Sequence, residues 1–155
     1  MAPSVYIETS VISYLTAFPS RDVVLLAHQQ ITQSWWSQRG HYDLYVSQAV
    51  LDEAAAGSPD AAARRLDTIR GIPIPEVTTS ALEFATELIN TGVLPAKALV
   101  DSIHVAAAAV NGIDYLLTWN CKHIANVAIR ARIERSCRVL GLQPPLICTP
   151  EELSE

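Results

Sequence analysis

Short apolar runs recur along the chain, and sequence with helical periodicity separates each from the next. The runs lie at residues 5–7, 42–46, 72–74, 115–118 and 146–148. They are too short to be helices and are bounded by turn-forming residues, so they read as buried strands. Strands that alternate with helices point to an α/β fold with a mostly parallel sheet of four to five strands between helices. Residues 11–15 predict a short helix. Residues 22–39 carry Val23, Leu26, Ala27, Ile31 and Trp35 at spacings of three and four, an amphipathic helix that Gly40 ends. Residues 47–56 follow, with Ser47 as N-cap and Gly57 as stop. Ser58, Pro59 and Asp60 open a helix with Leu66 and Ile69 on it. Ser80 and Glu83 form a capping box for residues 80–90, and Pro95 starts a helix through Asn111. Helical sequence covers residues 124–140, and Thr149 to Glu152 is a further capping box. There are no repeats, low-complexity tracts or linkers, so residues 1–155 predict one domain with one core.

Half the residues are hydrophobic and 17% are charged, which excludes a disordered chain. No apolar stretch is long enough to span a membrane, and the N-terminus lacks the basic and apolar regions of a signal peptide. Cys121, Cys137 and Cys148 make an odd number without metal-binding spacing, which predicts free thiols in a cytoplasmic protein. The net charge of −5 argues against nucleic-acid binding through a broad basic surface. A nuclease is compatible with it, because a nuclease site must be acidic to hold a cation. Grip on such a substrate is then local, or shared with another subunit.

Four places set polar groups where burial is expected. Glu8 ends the first strand in VYIETSVISYL, followed by the hydroxyls of Thr9 and Ser10. In a parallel sheet, ligands bind outside the carboxyl ends of the strands; the alternative is an acid that only supports the next helix. Glu53, in VLDEAAAG, lies within two turns of the second strand's end. Its neighbour Asp52 sits about 100° around the helix, so at most one of the two faces a shared cleft. Asp101 lies in PAKALVDSIHVAAAAVNG, a helix apolar almost all round. Lys97, Asp101 and His104 share one face of it, and a charge on a buried helix must be paired or bound to a metal. The rival reading is a Lys97–Asp101 pair at the rim, with His104 a packed, hydrogen-bonded side chain. The last place is LLTWNCKH, where Thr118, Asn120, Lys122 and His123 end a strand. Together these groups are expected to converge on one edge of the sheet, and carboxylate and amide oxygens suit Mg²⁺ or Mn²⁺.

YIETSVISYL, VLDEAAAG and LVDSIHVAAAAVNGIDYLLTWNCKH, in that order, resemble PIN-domain ribonucleases, especially the VapC-like toxins of toxin–antitoxin pairs. The resemblance runs from the first strand to about Ile124, and the final ICTPEEL is also family-like. It implies a three-layer α/β/α sandwich, an acidic cluster holding Mg²⁺ or Mn²⁺, and hydrolysis of single-stranded or loop RNA. It also implies an antitoxin protein that blocks the cleft. By position, Glu8, Glu53 and Asp101 are the acidic metal site, Thr9 and Ser10 are hydroxyls lining it, and Asn120 stands where a further acid is usual. Glu8 departs from the usual Asp by a methylene, and Asn120 supplies a carbonyl oxygen without charge. Both departures weaken the expected grip on a cation and on a second ion.

The expected activity is metal-dependent endoribonuclease. Glu8 and Asp101 hold the ion, Glu53 is a further ligand or a water-orienting base, and Ser10, Thr118 and Asn120 support them. Lys97, Lys122 and His123 are candidate phosphate contacts, although a solvated surface role is the first reading of each. Trp36 is a candidate base-stacking side chain, while Trp35 and Trp119 sit in patterns that favour the core. A rival reading is a PIN-like binding module with weak or absent catalysis, acting through an antitoxin-like partner or as a homodimer. A phosphatase or phosphotransferase ranks below both, because there is no Gly-rich phosphate loop and no DxD after the first strand. The exposed faces of residues 22–39 and 61–70 are the expected docking surfaces.

Overall fold

A computed structural model describes residues 2–154. The strands are β1 (Ser4–Ile7), β2 (Asp43–Tyr45), β3 (Tyr115–Leu117) and β4 (Leu146–Cys148). Between them lie α1 (Thr9–Thr16), α2 (Val23–Ser37), α3 (Gln48–Ala54), α4 (Pro59–Ile69), α5 (Thr79–Asn90), α6 (Leu99–Val110) and α7 (Val127–Val139). The sheet is parallel throughout, in the order β2-β1-β3-β4. Val5, Tyr6 and Ile7 are all buried, so helices cover both faces of β1, as an α/β/α sandwich requires.

The expected strand at residues 72–74 does not form. Pro73 and Pro75 lack N–H groups, so this segment cannot donate to a ladder at alternate positions. It makes one backbone bond to the β2 side, from the Val46 N–H to the Pro73 carbonyl at 3.2 Å. The helix expected from Pro95 is also divided. A 3₁₀ turn covers Ala96–Ala98, and Ala98 leaves helical geometry at φ −100° and ψ 30° before α6 begins. The Lys97–Asp101 pair needs an unbroken turn and is absent; Lys97 is exposed.

Helix starts follow the hydroxyl or amide that reaches the free N–H groups. Thr78, not Ser80, caps α5, accepting from the Ala81 N–H at 3.2 Å. Asn126 caps α7 three residues into the predicted helical stretch, accepting from the Ala128 and Ile129 N–H groups. At the end of α6, Ile113 N–H returns to the Ala108 carbonyl and Gly112 N–H to that of Ala109, a Schellman turn. Gly112 takes the φ of +65° that this turn requires, and it directs the chain into β3. Ala106 to Ala109 of α6 are all buried, and α5 lies along α6 with Phe84, Ala85 and Leu88 buried. Small side chains on α6 leave room for that close approach.

Both ends of the β1–β3 pair are tied by side chains. At the start, Asp114 Oδ2 accepts from the Ser4 N–H at 2.9 Å and the Ser4 hydroxyl accepts from the Asp114 N–H at 2.8 Å. The final turn is held by the predicted box. Thr149 N–H donates to Glu152 Oε1, Glu152 N–H donates to Thr149 Oγ1, and Arg130 of α7 reaches both Glu152 and the Ile147 carbonyl. No helix among the described residues is long and apolar enough to cross a membrane.

Leu116 sits fully buried in β3. Leu116→Ala is expected to lower the unfolding free energy by about 2–5 kcal/mol, read as a lower urea midpoint at unchanged slope. Burial pushes the Glu152 carboxyl up, but the Thr149 amide and the Arg130 guanidinium outweigh it and hold the group below its ordinary 4.5. A carboxyl depressed in the folded state stabilises the fold fully above the unfolded value, and the contribution fades as pH falls through the folded one. Glu152→Gln is therefore expected to reduce stability at neutral pH and to flatten the loss below pH 4.5, followed by urea unfolding across that range.

Candidate acidic site at the sheet switch point

The chain leaves β1 for β2 on one side and later returns to β3 on the other. The carboxyl ends of β1 and β3 therefore flank the point where strand order reverses, which is where open parallel sheets leave a crevice. Glu8 stands there. Its N–H still bonds the Leu117 carbonyl at 3.0 Å, so it continues the β1–β3 ladder by one residue. Its side chain then turns back as the N-cap of α1, accepting from the Ser10 N–H at 2.9 Å. Glu8 is thus a helix-capping acid and a switch-point acid at once.

Two hydroxyls complete its cradle. Ser10 Oγ donates to Glu8 Oε1 at 2.6 Å, and Thr118 Oγ1 donates to the same oxygen at 2.5 Å. Each hydroxyl also accepts a backbone N–H from the β3 exit: Ser10 from Trp119 at 2.8 Å, Thr118 from Asn120 at 2.9 Å. Glu8 is only 4% exposed, and among the described residues it forms no ion pair. A buried carboxyl group oriented by three neutral donors, and without an ion pair among the described residues, is a candidate for holding a cation.

Glu53 approaches from α3. Its Oε1 accepts from Thr9 Oγ1 and from His104 Nε2, both at 2.6 Å, while no hydrogen bond among the described residues occupies its Oε2. Burial raises the Glu53 carboxyl, but the bonds from His104 and Thr9 outweigh it, so the net value lies below the ordinary 4.5. It is held as a carboxylate. Asp52 faces elsewhere, exposed and bonded to Gln48 Nε2 at 2.8 Å. Glu8, Glu53 and His104 bring one ligand atom each to within 4.8 Å of one another, a spacing that one ion can bridge.

Asp101 lies outside that trio. It occupies the first turn of α6, where its Oδ2 meets His123 Nδ1 at 2.9 Å, with both side chains largely covered. His123 N–H donates in turn to Asn120 Oδ1 at 3.1 Å, so the Asn120 side chain shapes the loop that carries His123. Lys97 and Lys122 are exposed and make no ion pair among the described residues. Trp35 and Trp119 are buried. Trp119 donates to Thr32 Oγ1 and is covered by His28, whose ring stacks on it at 4.1 Å; Trp36 is half-buried beneath Arg39. The expected docking face of α2 exposes Val23, Val24 and Leu25, with Phe18 nearby in the chain.

Tyr6 and Ser47 did not stand out as site residues in the sequence. Ser47 has N-cap backbone geometry, yet its hydroxyl makes no cap bond and meets the Tyr6 hydroxyl at 2.6 Å. Tyr6 in turn meets His104 Nδ1 at 2.7 Å. The available signal was a phenol within an aliphatic strand and an imidazole on an alanine-rich helix, since both need partners when buried.

Thr118→Val keeps the shape of the side chain but removes the hydroxyl that serves Glu8 and the Asn120 N–H. It is expected to destabilise the protein by about 1–3 kcal/mol, measured by urea unfolding.

No protein-family profile matches the chain, and neither does any curated protein sequence. Solved structures do match. VapC20 of Mycobacterium tuberculosis, a toxin that cleaves the sarcin-ricin loop, superposes with a TM-score of 0.59 at 17% identity, covering 79% of this chain and 95% of that one. VapBC2 of Rickettsia felis, bound to a DNA fragment from its promoter, superposes with a TM-score of 0.59 at 14% identity, covering 94% of this chain and 98% of that one. The chain therefore has the VapC-like PIN fold, with its buried acid at the switch point of the sheet.

Proposed function

We propose that the chain is one PIN-like domain acting as a metal-dependent endoribonuclease, the toxin of a toxin–antitoxin pair. The observation that carries this reading is Glu8, a buried carboxyl group with no ion pair among the described residues, beside Glu53 at the sheet's switch point. Carboxylate oxygens from Glu8 and from the open Oε2 of Glu53 fit a hard divalent cation, Mg²⁺ or Mn²⁺. Asp101 is the further acid in this proposal, reaching the ion directly or through water from the edge of α6. Once bound, such an ion polarises a phosphoryl oxygen and lowers the pKa of an attacking water.

The chain's own residues divide the remaining work. Ser10 and Thr118 hold the Glu8 carboxylate in one orientation. Thr9 and His104 keep Glu53 ionised, which favours a ligand over a general base. Asn120 and His123 shape the loop beside Asp101, and Lys97, Lys122 and His123 are the groups available to RNA phosphates. The toxin likeness supports RNA as substrate and an antitoxin as partner. The acidic net charge fits a partner that supplies basic or apolar groups, and the exposed apolar start of α2 is a surface open to it.

The test is cleavage of RNA by the purified chain with Mg²⁺ or Mn²⁺, beside an EDTA control and Asp101→Asn and Glu53→Gln variants. Metal-dependent cleavage in the parent, reduced at least about 100-fold in each variant, is the expected result. No cleavage together with no calorimetric Mn²⁺ binding would overturn the nuclease and leave a binding module.

A further inference from the structure

His104 is the one fully buried imidazole of the chain's described residues, and both its nitrogens are engaged. The direction of each bond follows from chemistry. Glu53 Oε1 already accepts from the Thr9 hydroxyl at 2.6 Å, so it also meets His104 as an acceptor and Nε2 carries the hydrogen. In the neutral ring Nδ1 is then an acceptor, and the Tyr6 hydroxyl must donate to it. The Tyr6 oxygen in turn accepts from Ser47 Oγ. If the ring were protonated instead, the Tyr6 and Ser47 hydroxyls would reverse and Nε2 would still donate. Every arrangement that satisfies the chain therefore keeps the hydrogen on Nε2.

We propose that Ser47, Tyr6 and His104 form a buried hydrogen-bond chain whose task is to position Glu53, with His104 a donor to that carboxylate and not a ligand of the cation. The proposal rests on the nuclease reading for the identity of what Glu53 holds. The geometry favours a positioning role on three counts. Ligation through Nε2 would require that nitrogen to lose its hydrogen and its 2.6 Å bond to Glu53. His104 is fully covered, whereas the Glu53 side chain is 38% exposed, so an incoming cation meets Glu53 first. The chain also begins and ends on the same helix. Ser47 stands at the N-cap position of α3 and Glu53 lies in its last turn, with β1 and α6 supplying the links between, so the side-chain direction of Glu53 is referred to three elements of the fold. With Thr9 on the same oxygen, Oε2 is left as the presented atom.

Two measurements on the full chain decide this. The first is the tautomer of His104 from ¹⁵N NMR of the imidazoles, assigned by the signal lost in His104→Gln, without metal and with Mg²⁺. The expected result is hydrogen on Nε2 in both states. Movement of the hydrogen to Nδ1 on adding Mg²⁺ would make His104 a ligand and overturn the proposal. The second is Mn²⁺ affinity by calorimetry. His104→Leu is expected to weaken binding by roughly 10–100-fold. His104→Gln places an amide donor at similar reach and is expected to restore most of it. Wild-type affinity in the leucine variant, or equal loss in both folded variants, would also overturn the proposal. If the parent binds no Mn²⁺ at all, the nuclease reading fails, while the Nε2 signal of the metal-free chain still decides the hydrogen-bond chain by itself.

Discussion

The contact on which the site depends is the one between the Glu8 carboxylate and the hydroxyls of Ser10 and Thr118. It joins the segments that leave the two central strands, and both hydroxyls pass the connection on to backbone N–H groups of the β3 exit. The acid is thereby fixed by neutral dipoles that orient it. Residues that hold the candidate site and residues that hold the fold are here the same ones, because the groups that orient Glu8 also close the β1–β3 pair. At the opposite end of that pair, Ser4 and Asp114 make a similar exchange between a carboxylate, a hydroxyl and backbone N–H groups.

Electrostatics separates the acids into different environments. Glu8 is buried among hydroxyls, Glu53 is half-covered and bonded to an imidazole, and Asp101 is largely covered against His123. A cation placed among them would meet one oxygen pair held by three hydrogen bonds, one oxygen supported from behind and one side chain with a competing partner. These three differ in how readily they can turn toward an ion. Asn120 adds no charge, and its carbonyl oxygen already accepts from the His123 N–H.

Most of the sheet was legible because short apolar runs between helical stretches have few other solutions. Residues 5–7, 115–117 and 146–148 lie in strands as read. The run at 72–74 misled because isoleucine side chains favour a strand while the intervening prolines withhold the backbone donors a strand needs. Helix starts shifted where several hydroxyls or amides stood in a row, as at Thr78 to Ser80, since any of them can reach a free N–H. Glu8, Glu53 and Asp101 were visible as acids in apolar surroundings. The partners of His104 were not, because the bonds that link it to Tyr6 and Glu53 span 98 and 51 residues of sequence. Spacing along a chain carries no information about which of several buried polar groups will meet across such distances.

The proline pair beside β2 has a consequence for self-association. A border strand in a sheet offers unpaired backbone groups to any other extended chain, the usual starting point of edge-to-edge aggregation. Here the Pro73 carbonyl occupies the Val46 N–H just beyond β2, and Pro73 and Pro75 have no N–H groups with which to propagate the ladder. The segment that did not become a fifth strand therefore acts as a stop at that corner of the sheet, where a neighbouring molecule's strand would otherwise find a template.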